Sequence, residues 1–421
     1  MKNSQLPEFL KIRYKDKVAL IDPENKVCLG VSRRIAENLD NESVQNKIYP
    51  IWKQQVKLQK KIESKHEKIN TAYLMVTRQC NLNCSFCAID ANTNAISNKE
   101  FSVEDVQKKI VPFFQNCRPH KIIVTGGEPL IKKRIIDIIE ILHEGVQSPI
   151  TLQSNGLTID QNIVDQLKGK IEEIDFSTGH MFKNKSKENE LKKHIEICQN
   201  AAINVVLSFM YEGINKSDIY KVIDIAAKYD TGLLINFVSP VGRAKKNSIL
   251  LTDLDKMEIY LDIAKYIYSQ GYANKLLSNI IDQKIQIKKN CGGYGQVMAI
   301  YPEGNIYMCQ SLTDEKYRIG NILSNTAAVV MGEMEKKLHD EEIKKTFCVD
   351  YKEICKQCEY KYVCPGRCPV SNRQDNYTCY FLKKMFNYQL FQKKYNSSPA
   401  DELKEFISFL ENIIEEYRQT V

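Results

Sequence analysis

Histidine is scarce in this chain, with 6 in 421 residues, and the six are scattered, so no His-based metal or acid–base site is expected. No stretch approaches the roughly eighteen uncharged apolar residues of a membrane-spanning helix. The opening MKNSQLPEFLKIRYKDK has no apolar run of signal-peptide length. These absences argue against a membrane partner and place the chain in the cytoplasm. Basic and acidic residues number 60 and 52, a net charge of +8, and the basic ones are not collected with aromatics. A nucleic-acid partner is therefore not expected. There is no internal repeat and no low-complexity tract. With 43% hydrophobic and 27% charged residues the composition is that of an ordinary globular protein.

What is plentiful is cysteine, 14 in all. In a reducing compartment clustered cysteines bind metal more often than they form disulfides. Three follow one rule, Cys80-x3-Cys84-x2-Cys87. Farther on, Cys291 precedes Gly304 and Cys309, and Cys355-x2-Cys358-x5-Cys364-x3-Cys368 is followed by Cys379. By chance, 14 cysteines in 421 residues would give the upstream trio about once in 65 chains and the four-cysteine block about once in 2000. Three thiolates with no fourth nearby can hold three corners of a cubane iron–sulfur cluster and leave one iron open. Zinc is the alternative, but zinc sites use four protein ligands, or three with His, and no His lies between Cys80 and Cys87. The downstream block alone is also compatible with zinc knuckles. Cys28, Cys117 and Cys198 read as ordinary thiols.

Residues 1 to about 48 read as a β-rich start: strands over Phe9–Tyr14, Lys17–Ile21 and Val27–Val31, a turn at Asp22-Pro23-Glu24-Asn25, and a short helix over Ser32–Leu39. Trp52–Lys68 suits an exposed connecting helix. From Thr71 to about Tyr272, strand and helix patterns alternate six times. Strands are expected over Ala72–Thr77, Lys121–Thr125, Ile150–Ser154, Glu173–Ser177, Ile203–Phe209 and Gly232–Val238, with amphipathic helices between them. Repeated βα units imply a parallel sheet with right-handed crossovers, and six units imply a partial (β/α)6 TIM-like barrel. Leu251–Gly271 reads as a further helix. The region from about 291 to 380 has few apolar runs, so bound clusters would replace a missing core. Phe381–Arg418 is helical with a break near Ser397-Ser398-Pro399. The expected division is 1–70, 71–273, 274–380 and 381–421.

Chemistry in such barrels sits where strands end in loops. Cys80, Cys84 and Cys87 follow the first strand, Gly126-Gly127-Glu128-Pro129 the second, and Ser154-Asn155-Gly156 the third. The glycines permit close backbone approach, or are a plain tight turn, and Glu128 can accept from an amine.

On these residues the chain resembles the radical S-adenosylmethionine (SAM) superfamily. Its three-cysteine signature, with an aromatic before the last, stands here as Cys80, Cys84, Phe86 and Cys87, and its Gly-Gly-Glu-Pro element as residues 126 to 129. The cysteines from Cys291 to Cys379 resemble the SPASM extension. The resemblance covers about residues 71 to 380. It implies reductive cleavage of SAM at a [4Fe–4S] cluster on the first trio, an electron donor of flavodoxin or ferredoxin type, and two auxiliary [4Fe–4S] clusters, three in all. By the SPASM pattern Cys291, Cys309 and Cys368 would bind the first auxiliary cluster, and Cys355, Cys358, Cys364 and Cys379 the second. Cys348 is placed as the first cluster's missing ligand; otherwise that site is open to a substrate thiolate. Sulfatase-maturing relatives carry an acid directly after the second cysteine of the first set, where this chain has Gln310. Pro240-Val241-Gly242-Arg243-Ala244 resembles an element of SPASM maturases whose Arg reaches SAM or a substrate carboxylate. The N-terminal segment looks like a reduced leader-peptide-binding domain. The resemblance thus implies a thioether-forming maturase of a ribosomally made, Cys-rich precursor peptide. Carbon–carbon crosslinking, epimerisation or formylglycine formation are the enzymatic alternatives, and a non-catalytic zinc-stabilised peptide scaffold the other.

Overall fold

The computed structural model describes residues 6–63, 69–94, 100–245, 251–281, 285–370, 379–394 and 397–420. It divides into two compact units, one of Glu67–Asp282 with Gly295–Asp340, the other of Met1–His66, Gln283–Tyr294 and Glu341–Val421. No helix among the described residues is long and apolar enough to cross a membrane.

The second unit opens on a meander of β1 (Leu10–Tyr14), β2 (Lys17–Asp22) and β3 (Val27–Ser32), paired in the order β1-β2-β3. Both faces of this sheet are covered, which is why β2 is buried at five successive positions. On one face Val18, Leu20, Val27 and Leu29 pack with Ala36 and Ile48 of the following helices. On the other, Ile12, Ala19 and Ile21 pack with Ile287, Tyr360, Val363 and Phe391. Tyr360 and Val363 stand between Cys358 and Cys364, so the cysteine-rich segment shares the core of the N-terminal sheet. The connecting helix begins earlier than its composition suggests, at Glu42, and runs to Glu63; residues 64–68 of the expected span lie outside the described residues.

The larger unit holds the six expected strands: β4 (Thr71–Met75), β5 (Lys121–Thr125), β6 (Ile150–Ser154), β7 (Glu173–Ser177), β8 (Asn204–Tyr211) and β9 (Gly232–Phe237). Each pairs in parallel with the next. Their apolar alternates, among them Leu74, Val124, Leu152, Ile174 and Leu207, are fully buried. Phe176 packs at a tilt against His194 of the helix Lys185–Asn200, which fixes this face as the one under the helices. The opposite alternates carry polar groups, including Tyr73, Gln153, Asp175 and Ser208, towards the barrel interior. Beyond β4 the sheet continues through β10 (Val297–Ile300), β11 (Asn305–Tyr307) and β12 (Arg318–Asn321). β10 joins β4 in parallel and the other two add antiparallel, giving the order β12-β11-β10-β4-β5-β6-β7-β8-β9. The result is an open, partial barrel in an α/β fold.

Candidate active site

The loop after β4 is held by its own backbone and by backbone from two other strand ends. Cys80 donates its N–H to Asn92. Gly127 and Glu128 donate theirs to Thr77 and Gln79 at 2.8 Å each, extending the pairing of β5 with β4 past the end of the strands. A Cβ on Gly127 would stand 2.0 Å from the Gln79 carbonyl oxygen, and one on Gly126, at φ +144°, would stand 2.5 Å from that of Thr77. Both positions need glycine because the cysteine loop lies directly against them. The Gly242-Arg243 turn closes the other side. Arg243 donates its backbone N–H to Cys87 O and its Nε to Cys84 O, and Nη1 pairs with Asp90 at 3.0 Å. The guanidinium thus clasps the cysteine loop.

Glu128 is fully buried. Its Oε1 accepts from Leu130 N–H and the Ser154 hydroxyl, and its Oε2 from Asn155 N–H at 2.7 Å. Burial pushes the carboxyl up from its ordinary range, and these three donors partly oppose the shift. Asn155 in turn donates Nδ2 to Asn81 at 2.7 Å and faces the Cys80 sulfur at 4.0 Å. The second and third strand ends therefore orient the residue beside the first cysteine. His180, which the composition gave no reason to single out, also belongs here: it hydrogen-bonds the Asn155 backbone, while burial holds its imidazole down at about 4.

Several of the clustered cysteine sulfurs receive hydrogen bonds. Leu82 N–H points at Cys80 Sγ (3.4 Å), Ala91 N–H at Cys87 Sγ (3.3 Å), Ser311 N–H at Cys309 Sγ (3.5 Å) and Arg367 Nε at Cys379 Sγ (3.2 Å). The Gly366 amide likewise favours the Cys364 thiolate. Donors of this kind stabilise thiolates and tune cluster potentials. Among the described residues no such donor meets Cys28 or Cys198, and burial alone pushes them to about 11 and about 12. Cys84 is pushed up first by burial and then by Cys80 and Cys87, so the three thiols of the loop lie within electrostatic range of one another. Among the described residues no three Cys, His, Asp or Glu side chains close on a point as around one metal ion. A cubane asks for something different, since each thiolate binds a separate iron. The donor set of the loop fits such a cluster.

In the other unit, Cys355, Cys358, Cys364 and Cys379 line one cavity of about 310 Å³, with Arg367 and Lys383 at its wall. Cys291 N–H donates to Phe347 O, and Asn290 bridges Cys348, so the backbones of Cys291 and Cys348 run side by side. The Cys348 thiol is paired with the Tyr294 hydroxyl. Cys368 is exposed.

Residues 74–226 match the family model described as the radical SAM superfamily. The chain carries a radical SAM domain. It is an enzyme built to use SAM and an iron–sulfur cluster, and the domain spans the cysteine loop, the Gly126-Gly127-Glu128-Pro129 element and Asn155. Among curated proteins it is similar to the GTP 3′,8-cyclase of Clostridium perfringens (strain SM101 / Type A), at 24% identity over 232 residues, 50% of this chain and 72% of that one. The GTP 3′,8-cyclase of Syntrophomonas wolfei is 25% identical over 303 residues, 67% of this chain and 90% of the relative. Among solved structures, anSMEcpe with bound AdoMet superposes with a TM-score of 0.57 at 18% identity, covering 82% of this chain and 98% of that one. Streptococcus suis SuiB bound to S-adenosylmethionine gives 0.54 at 15%, covering 86% and 95%. SuiB bound to its precursor peptide SuiA gives 0.53 at 13%, covering 87% and 98%. At such identities these likenesses show a shared fold.

Proposed function

We propose that this radical SAM enzyme is a peptide maturase that installs a thioether crosslink in a ribosomally made, Cys-rich precursor peptide. The observation that carries the reading is the cavity lined by Cys355, Cys358, Cys364 and Cys379, a second cysteine site on a different unit from the radical SAM domain. In this reading that cavity holds one auxiliary [4Fe–4S] cluster, as in a SPASM extension. The resemblance to that extension implies a further auxiliary cluster on the remaining cysteines of its pattern. Cys80, Cys84 and Cys87 hold the cluster that binds SAM, with Gly126, Gly127, Glu128, Pro129, Ser154, Asn155 and Arg243 shaping its surroundings. When bound, cluster and SAM supply a carbon radical able to remove a hydrogen atom from substrate. The protein's part is to hold the loop rigid, dry and aimed. The fold shared with SuiB, which is known bound to a precursor peptide, supports a peptide substrate.

β3 is paired only with β2 among the described residues, and its open edge would take a leader segment as an added strand. The chain would work in the cytoplasm with a flavodoxin- or ferredoxin-type donor. The likeness to GTP 3′,8-cyclases through the domain favours a purine nucleotide as second reading.

The deciding experiment incubates the anaerobically reconstituted enzyme, SAM and reductant with a pool of short synthetic peptides, each containing cysteine, and separately with GTP. A loss of about 2 Da per peptide, with one fewer alkylatable thiol, supports the thioether. Unchanged mass with an inverted residue makes the enzyme an epimerase, and a new aldehyde makes it a formylglycine former. Turnover of GTP alone overturns the peptide reading.

A further inference from the structure

The two outer strands of the N-terminal sheet are built differently. β1 carries Lys11 and Arg13 among its five residues, and Lys11 folds over to donate its Nζ to Ala36 O at 2.7 Å. Charges on an outer strand keep other chains from pairing with it. β3, Val27-Cys28-Leu29-Gly30-Val31-Ser32, has no charge in six residues. At its middle a Cβ on Gly30 would meet nothing within 4 Å, and Gly30 pairs with Ala19, so the edge leaves room for a side chain of an added strand. Charge begins where the strand ends: Lys26 precedes it, Arg33 and Arg34 follow, and all three are exposed. The surroundings carry the same sign. Residues 1–66 hold 14 basic against 8 acidic residues, a surplus of 6 in a chain whose net charge is +8. The helix Glu42–Glu63, whose Ile48 shares a core with Val27 and Leu29 of β3, has five lysines, and its only carboxylates stand at its two ends. Ile51, Leu58 and Ile62 of that helix are about half exposed, at spacings that place them along one side.

We propose that the β3 edge selects an acidic leader: an extended segment that adds to β3 as a fourth strand, with Asp or Glu side chains meeting Lys26, Arg33 and Arg34 at the ends of the strand. The inference rests on the peptide-maturase reading and gives the leader's chemistry. A second copy of the chain is the poorer occupant, because two β3 strands paired antiparallel and in register would set Lys26 of each opposite Arg33 of the other. Opposite charge also steers an acidic segment to the sheet before pairing begins.

Labelled extended peptides, alike except that their polar positions are all Glu, all Gln or all Lys, are titrated against the reconstituted full-length protein by fluorescence anisotropy, with hydrogen exchange followed alongside. The Glu peptide binds about tenfold or more tighter than the Lys peptide, weakens as salt is raised, and slows exchange over Val27–Ser32 but not over Leu10–Tyr14. The Arg33→Glu, Arg34→Glu double variant lowers that affinity about tenfold and leaves 5′-deoxyadenosine release without peptide at the parent's level. Both side chains are exposed, which spares the fold, and the Arg33→Gln, Arg34→Gln pair loses less. Equal affinity for all the peptides, or binding that leaves β3 exchange unchanged, overturns the inference; a parent that still crosslinks cysteine-containing peptides then leaves the peptide reading standing. A parent that converts no peptide overturns both. β3 amides protected without peptide, and more so at higher protein concentration, place a second copy on the edge and overturn the inference as well.

Discussion

The Glu128 carboxylate accepts the backbone N–H of Asn155 at 2.7 Å, joining the ends of β5 and β6 in a fully buried bond. Asn155 reaches from there to Asn81 and the Cys80 sulfur, so a carboxyl group on one loop positions the first cysteine of another. Glu128→Gln replaces one acceptor oxygen by a donor facing N–H or O–H groups. We expect it to lower stability by about 2–3 kcal/mol and to weaken SAM binding while iron on the auxiliary sites is retained. Urea melts and equilibrium SAM binding check this; parental values for both would contradict it.

Gly127→Ala places a methyl group against the Gln79 carbonyl, where no side chain can move aside. The loop must shift, at a cost of about 3 kcal/mol, and the Cys80 trio with it. Reduced iron uptake at the trio, read by the EPR signal of the reduced cluster, is the expected outcome. Gly332→Ala, in the helix Ala327–Leu338, is the control, since nothing lies within 4 Å of its Cβ position and its φ is not positive.

His180 gives the site a pH dependence. Its folded imidazole titrates near 4 against an ordinary 6.5, so the unfolded chain binds the proton first as pH falls. Stability is fully present above about 6.5 and is lost as pH drops towards 4, by up to about 3 kcal/mol at 1.36 kcal/mol per unit. Denaturant melts at pH 7 and pH 4.5 should differ by less in His180→Gln than in the parent. An equal acid sensitivity would remove His180 as the cause.

Arg367 stands 3.2 Å from the Cys379 sulfur and also lines the four-cysteine cavity. A cationic donor on a cluster sulfur stabilises the reduced, more negative state. Arg367→Met should therefore lower the reduction potential of the cluster proposed for this cavity and leave the SAM-site cluster unshifted in an EPR-monitored titration. A potential that does not move means the contact is only structural.

Much of this was legible in the sequence for identifiable reasons. The six parallel strands are apolar runs buried under helices, and such runs announce themselves. The clustering of the cysteines is visible in the sequence because spacing is a local property. What escaped depends on contacts across long separations. β11 and β12 are three and four residues long and polar at several positions, and they are strands only because β10 brings them to the edge beside β4. The cysteine-rich segment has a core after all, since Tyr360 and Val363 borrow the N-terminal sheet, more than 300 residues away in sequence. Arg243 reads as a free anion-binding side chain in a short motif; its engagement with Cys84 and Asp90 needs the folded barrel. His180 is a lone polar residue among apolar ones, and nothing in its spacing distinguishes it from any other interruption.

The central claim is that Cys80, Cys84 and Cys87 hold the cluster at which SAM is cleaved, apart from the other cysteine sites. Its most direct test is the yield of 5′-deoxyadenosine from anaerobically reconstituted parent and from the Cys80→Ala, Cys84→Ala, Cys87→Ala triple variant, with iron measured on both. The account predicts about twelve irons and SAM cleavage in the parent, and about eight irons with no 5′-deoxyadenosine in the variant. A variant that still cleaves SAM, or a parent that takes up zinc in place of iron, would contradict it.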